Sequence, residues 1–299
     1  MIVDAHYHLD PRLESVDRLL AQMQVHGIAR VALIATMCDP LHLGRAGLLL
    51  FNLMRGALAG KARPLGRVLY RSSVDASGHI SFTRGASVYR DPDNDAVERA
   101  FRAHPDEFVG WFFVNPQAGR PIDEVERRLR DARWIGVKAH PFWHRYPVEA
   151  LDDVASLCQE RGKPMLVHLG GDRARGDFRR LPERFPRLKL VYAHAGIPWY
   201  EALWEDARRR ENVFVDLSSP YLDAALRHRA LRMLGPARCL YGSDGPYGYR
   251  GADGGYDHGA ILRQIERAEL PARDLDRVLG GNFRALVPVL RRGESDGLL

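Results

Sequence analysis

The chain repeatedly alternates a short apolar, β-branched run with a segment of helical period. The runs lie at residues 2–6, 30–35, 108–114, 135–139, 164–168, 188–193, 213–217 and 239–242. Between them, apolar residues recur three and four apart: Leu13, Val16, Leu19, Leu20 and Met23 form one stripe, and Val125, Leu129 and Ala132 another. Short apolar runs read as buried strands and a period near 3.6 as amphipathic helix, so the pattern predicts repeated βα units and a parallel sheet. Eight such units predict closure into a TIM (β/α)8 barrel, an α/β fold.

One interval breaks the rhythm. Residues 36–92 are too many for a plain connection between the second strand and the next helix, which begins near Asp93. Their first part, 41–58, is apolar, and the second, 61–91, is rich in Gly, Ser and Arg. On a barrel this excursion leaves the C-terminal end of strand two, where it can fold over the mouth as a lid. Residues 271–290 predict one or two extra helices packed outside the barrel, and 291–299 a frayed tail. The expected organisation is one barrel domain over 1–290 with 36–92 inserted.

Composition narrows the class. A chain of 299 residues with 45% hydrophobic and 27% charged positions can bury the core of one large α/β domain. No stretch of about twenty apolar residues occurs, so neither a membrane span nor a signal peptide is visible, and the expectation is a soluble cytoplasmic protein. Cys38, Cys158 and Cys239 are far apart and read as buried or free thiols. The net charge is +6, but the basic runs near Arg127 and Arg208 have acidic residues interleaved at helical spacing, as on solvated faces. Nucleic acid and membrane are therefore not expected partners; a small, anionic molecule is, and a homodimer stays open.

Candidate chemistry begins in Val3-Asp4-Ala5-His6-Tyr7-His8. Alternate residues of a strand share a face, so His6 and His8 sit about 7 Å apart along it and can converge on one ion. His168 closes the run at 164–168, His194 follows the run at 188–193, and Asp244 follows the run at 239–242. Barrel enzymes build their sites at the C-terminal strand ends, so these residues would meet at one rim. Imidazoles with a carboxylate suit one divalent metal ion; zinc is the expected one, with manganese, iron and nickel open.

These motifs resemble the amidohydrolase superfamily. More narrowly, Gly136-Val137-Lys138-Ala139-His140-Pro141, Tyr192-Ala193-His194-Ala195-Gly196, Tyr241-Gly242-Ser243-Asp244-Gly245-Pro246 and Gly281-Asn282-Phe283 look like the amidohydrolase-related branch. That branch contains aminocarboxymuconate-semialdehyde decarboxylase, resorcylate decarboxylases and lactonases. The resemblance implies that His6, His8, His168 and Asp244 hold a single cation, that Asp244 shuttles the proton of an activated water, and that His194 polarises substrate or transfers a proton.

Lys138 shares an inward strand face with His140, where an uncompensated ammonium is costly. It is expected to pair with a buried carboxylate such as Asp4, to contact an anionic substrate, or to be carboxylated between two metals. His140, Trp143, His144 and Arg173 are further candidates for substrate contact. The reading that leads is hydrolysis of a small amide, ester or lactone by metal-activated water. The alternative is a non-oxidative decarboxylase or hydratase of an unsaturated or aromatic acid. A nuclease-type phosphodiesterase barrel would carry a glutamate where Lys138 and His140 stand, and a non-catalytic binding protein would not need every site position filled.

Overall fold

In the computed structural model, which describes residues 1–291 apart from 82, 84 and 121, the eight apolar runs form eight parallel strands in chain order. They are β1 (Ile2–Leu9), β2 (Ile28–Ala35), β3 (Phe108–Val114), β4 (Trp134–Ala139), β5 (Met165–Val167), β6 (Leu190–Tyr192), β7 (Val213–Asp216) and β8 (Cys239–Leu240). The sheet closes between its last and first strands: Ala5 N–H donates to Tyr241 O (3.1 Å), Asp244 N–H to His6 O (2.7 Å) and His8 N–H to Gly245 O (2.7 Å). The fold is a TIM barrel.

Local chemistry sets the helix ends. The helix after β1, α1 (Val16–His26), starts where the Ser15 hydroxyl accepts from Arg18 N, and it stops at Gly27, whose φ of 65° a side chain would disfavour. Asp93 and Asp223 cap the helices Asn94–Ala103 and Ala224–Leu234 in the same way. Indole and phenyl rings fill the core, with Trp111, Trp134 and Trp204 fully buried. All three cysteines are buried and unpaired.

The excursion after β2 is a helical hairpin followed by a small β arch. Its helices, α2 (Arg45–Ala59) and α3 (Arg63–Ser72), pack together at Gly66, where a Cβ would lie 2.7 Å from Leu58 N. The Gly, Ser and Arg-rich stretch thus holds a helix, α3, before the antiparallel bridges Val74↔Ile80, His79↔Ser87 and Cys38↔Val88. At the C-terminus, short helical turns from Ala272 to Arg291 pack against the starts of β1 and β8, with Val278 O accepting from Tyr241 N. The expected tail lies, from residue 292 on, outside the described residues. Among the described residues no helix is long and apolar enough to cross a membrane.

Candidate active site

The C-terminal strand ends surround a cavity of about 540 Å³ whose floor is built from His8, Lys138, His140, His168, His194 and Asp244. The excursion supplies one wall through Leu48, Phe51, Arg55 and Ile80, and Trp143, Tyr221 and Tyr247 add aromatic surface. Strand alternation places His6 and His8 on one face of β1. Their Nε2 atoms lie 3.3 Å apart, and Asp244 Oδ1 sits 3.4 Å from each. His194 stacks on His6 at 5.1 Å and brings its Nε2 to 3.9 Å from Asp244 Oδ2. One donor atom each from His6, His194 and Asp244 falls within 4.8 Å of the others.

Asp216, at the end of β7, holds this group in place. Its Oδ2 accepts from His6 Nδ1 (2.9 Å), and its Oδ1 accepts from the backbone N–H of His194 (2.9 Å) and of Ser218 (3.1 Å). Ser218 Oγ in turn meets His194 Nδ1 at 2.7 Å. A carboxylate on the far nitrogen fixes the His6 tautomer with Nδ1 protonated, leaving Nε2 as a lone-pair donor. His194 and Asp244 have φ of 53° and 58°. Side chains in this left-handed region cost about 1–3 kcal/mol each and persist at sites where the surroundings impose them.

His168 stands beside the group, stacked on His140 at 4.0 Å and edge-on to His194 at 4.6 Å. Its Nε2 lies 2.6 Å from the hydroxyl of Tyr70 in α3. The structure therefore gathers all five expected residues, but it sets His194 within the tight cluster around Asp244 and His168 on its flank.

Burial dominates the electrostatics. Desolvation holds His168 and His140 well below the ordinary imidazole range and lowers His8; it pulls His194 down to about 4 against the attraction of Asp244 and Asp216. Burial opposes ionisation of Asp244, yet His194, His8 and His6 together keep its carboxyl well below the usual range. Neutral imidazoles beside an ionised carboxylate are the protonation states a divalent cation requires of its ligands, so the donor set fits such an ion.

Lys138 is fully buried, and its Nζ has no hydrogen-bond partner. The expected pairing with Asp4 is not formed; Asp4 Oδ1 instead accepts from the backbone N–H groups of His6 and Ser243, both 3.0 Å away. Burial lowers the Lys138 ammonium to about 8 despite Asp216 and Asp244 nearby. Among the other candidates, His140 and Trp143 line the cavity, with His140 Nδ1 accepting from Trp143 N at 3.0 Å. His144 does not line it: the ring packs on Phe113 and its Nε2 donates to Tyr89 O (2.9 Å). Arg173 is exposed and away from the cavity, at the apex of a turn in which Asp172 accepts from Ala174 N and Arg175 N.

Sequence reasoning gave no role to Asp216, Tyr70 or Arg55. Asp216 lies one residue before the end of the predicted run at 213–217, so the strand-end rule that found His168 could have found it. Tyr70 and Arg55 reach the site from the excursion, where no local signal points inward.

A family model described as Amidohydrolase matches residues 67–289, well over half of the chain. The chain belongs to the amidohydrolase family. No curated protein matches this amidohydrolase in sequence. Its fold is similar to that of 4-oxalomesaconate hydratase from Rhodopseudomonas palustris, at 15% identity, with 99% of each chain covered and a TM-score of 0.62. A dihydroxybenzoic acid decarboxylase from Polaromonas sp., solved with manganese and the inhibitor 2-nitroresorcinol, matches at 15% identity over 99% of this chain and 98% of its own, with a TM-score of 0.59. A Pseudomonas putida protein assigned as a 2-pyrone-4,6-dicarboxylic acid hydrolase matches at 16% over 96% and 97%, with a TM-score of 0.57. At these identities the likeness is one of fold. The amidohydrolase is thus an enzyme whose site residues come from its own geometry.

Proposed function

We propose that this amidohydrolase uses a single divalent cation, held by His6, His8, His168 or His194, and Asp244, to hydrolyse an ester, lactone or amide bond in a small carboxylated substrate. The observation that carries the reading is one arrangement: a carboxylate ringed by imidazoles at the floor of a cavity that also contains the unpartnered amine of Lys138. When bound, the cation supplies Lewis acidity toward a carbonyl and lowers the pKa of water. Zinc suits imidazole and carboxylate donors, and manganese, iron or nickel compete for the same set.

The remaining steps belong to the chain. Asp244, kept ionised by its neighbours, takes the proton of the attacking water and returns it to the departing oxygen or nitrogen as the carbonyl–heteroatom bond breaks. His194, oriented by Ser218, donates or accepts a hydrogen bond at the substrate oxygen. Lys138 and Arg55 are two of the cations that line the cavity, with Arg250 a third, and Arg55 spends one hydrogen bond on Pro220 O at 3.2 Å. Both suit a substrate carboxylate, which an ammonium or guanidinium binds with charge-assisted hydrogen bonds. The fold relatives carry names of enzymes that act on carboxylated compounds, which supports the substrate class.

A second reading, decarboxylation or hydration of an unsaturated or aromatic acid, is favoured by one observation. Lys138 is the buried acid of the cavity, and proton delivery to carbon needs such a donor. A panel of lactones, amides and aromatic carboxylic acids, assayed with zinc or manganese added, separates the two. Hydrolysis products that disappear roughly 10²–10⁴-fold in rate in Asp244→Asn support the leading reading. Carbon dioxide release without hydrolysis overturns it.

A further inference from the structure

Tyr70 is fully buried in α3, stacked on Phe142 at 3.9 Å, and its hydroxyl has two neighbours: His168 Nε2 at 2.6 Å and Leu169 O at 3.2 Å. Neither the hydrolytic nor the decarboxylating reading uses it. A phenol has one proton to give and lone pairs to accept with. The Leu169 carbonyl only accepts. If Tyr70 donates to Leu169 O, its oxygen is free to accept from a protonated His168 Nε2, and both hydrogen bonds form. If it donates to His168 instead, the carbonyl loses its bond from Tyr70 and a single bond remains. Buried polar groups favour the arrangement that satisfies more of them.

We propose that Tyr70 is a positioning residue that locks His168 in the Nε2–H tautomer, so that Nδ1 is the ring nitrogen left with a lone pair. The assignment deepens the cation-site reading and rests on it for one consequence: His168 would contribute to the cation, or accept a proton, through Nδ1. The geometry that makes the choice comes from another element altogether. Space for the phenol is left by Gly171, where a Cβ would lie 3.1 Å from Tyr70 Cδ1, and the contact bridges 98 positions of sequence. The excursion is therefore part of the site's wiring as well as a wall of the cavity.

The test uses the full chain labelled with ¹⁵N-histidine and freed of metal by chelation. In the wild type, the His168 signals, identified by their loss in His168→Gln, are expected to show a protonated Nε2 and an unprotonated Nδ1. Tyr70→Phe keeps the stacked ring and removes only the hydroxyl. It is expected to shift those signals toward a mixture of tautomers and to weaken zinc binding, measured against a chromophoric chelator, by roughly 10–100-fold. A wild-type His168 protonated on Nδ1, or a Tyr70→Phe protein with unchanged ring signals, overturns the proposal. If the tautomer shifts but His168→Gln binds zinc as tightly as the wild type, the lock stands, and the reading of His168 as a cation ligand falls.

Discussion

Lys138 shows how a single side chain can favour function over stability. An ammonium buried without a partner destabilises the fold, and burial has already lowered it to about 8. Lys138→Met, which keeps the volume and removes the charge, is expected to leave the thermal midpoint unchanged or raised. In the same protein kcat/KM for a carboxylated substrate is expected to drop at least about tenfold, the value of one charge-assisted hydrogen bond. Calorimetry and steady-state kinetics on one preparation check both halves. The imidazoles act in the opposite sense on stability. His194 is depressed to about 4, and His8, His140 and His168 are lowered too, all chiefly by burial. Below the ordinary imidazole pKa near 6.5 the unfolded chain binds protons that the folded one refuses, so stability falls as pH drops from about 6.5 toward 4. Urea midpoints of the metal-free protein across that window should decline steadily; a flat profile would mean that these rings are solvated.

At the scale of elements, the strand ends and the excursion do different work. Strand ends present chemistry because the chain must turn there, and at His194 and Asp244 it turns through left-handed backbone. The excursion shapes the cavity through the packing of α2 on α3, and Gly66 is the point of closest approach. Gly66→Ala puts a methyl against the backbone of Leu58, where no side-chain motion relieves it. The expected cost is about 1–3 kcal/mol in urea unfolding. Because Phe51 and Arg55 of α2 line the cavity, KM is expected to rise more than kcat falls. A variant with wild-type KM would show that α2 does not contribute to substrate binding.

For the whole molecule, the site is a staple between the first strand and the last. His6 and His8 come from β1 and Asp244 from the loop that follows β8, so a cation bound among them would tie together the two edges whose pairing closes the barrel. Zinc at about 100 times its dissociation constant should add about 2.7 kcal/mol of stability. Thermal melts are expected to show a higher midpoint with zinc, a return to the lower one with chelator, and little response in Asp244→Asn. Equal melting of the zinc-loaded and chelated wild type would sink the shared-site reading.

Much of this was legible before any tertiary contact was known. The eight strands and the order in which they pair follow from local periodicity, because backbone geometry alone decides which side chains share a face and which runs are buried. The placement of His6, His8, His168, His194 and Asp244 at strand ends follows from the same rule. Tertiary structure decided everything that depends on direction and partner. It set His194 rather than His168 in the cluster around Asp244, supplied Asp216 to orient His6, brought Tyr70 to His168 from the excursion, left Lys138 without Asp4, and turned Arg173 out to solvent. Periodicity is a property of neighbours along the chain, whereas a ring's orientation or a hydrogen bond's partner is fixed by packing between segments far apart in sequence.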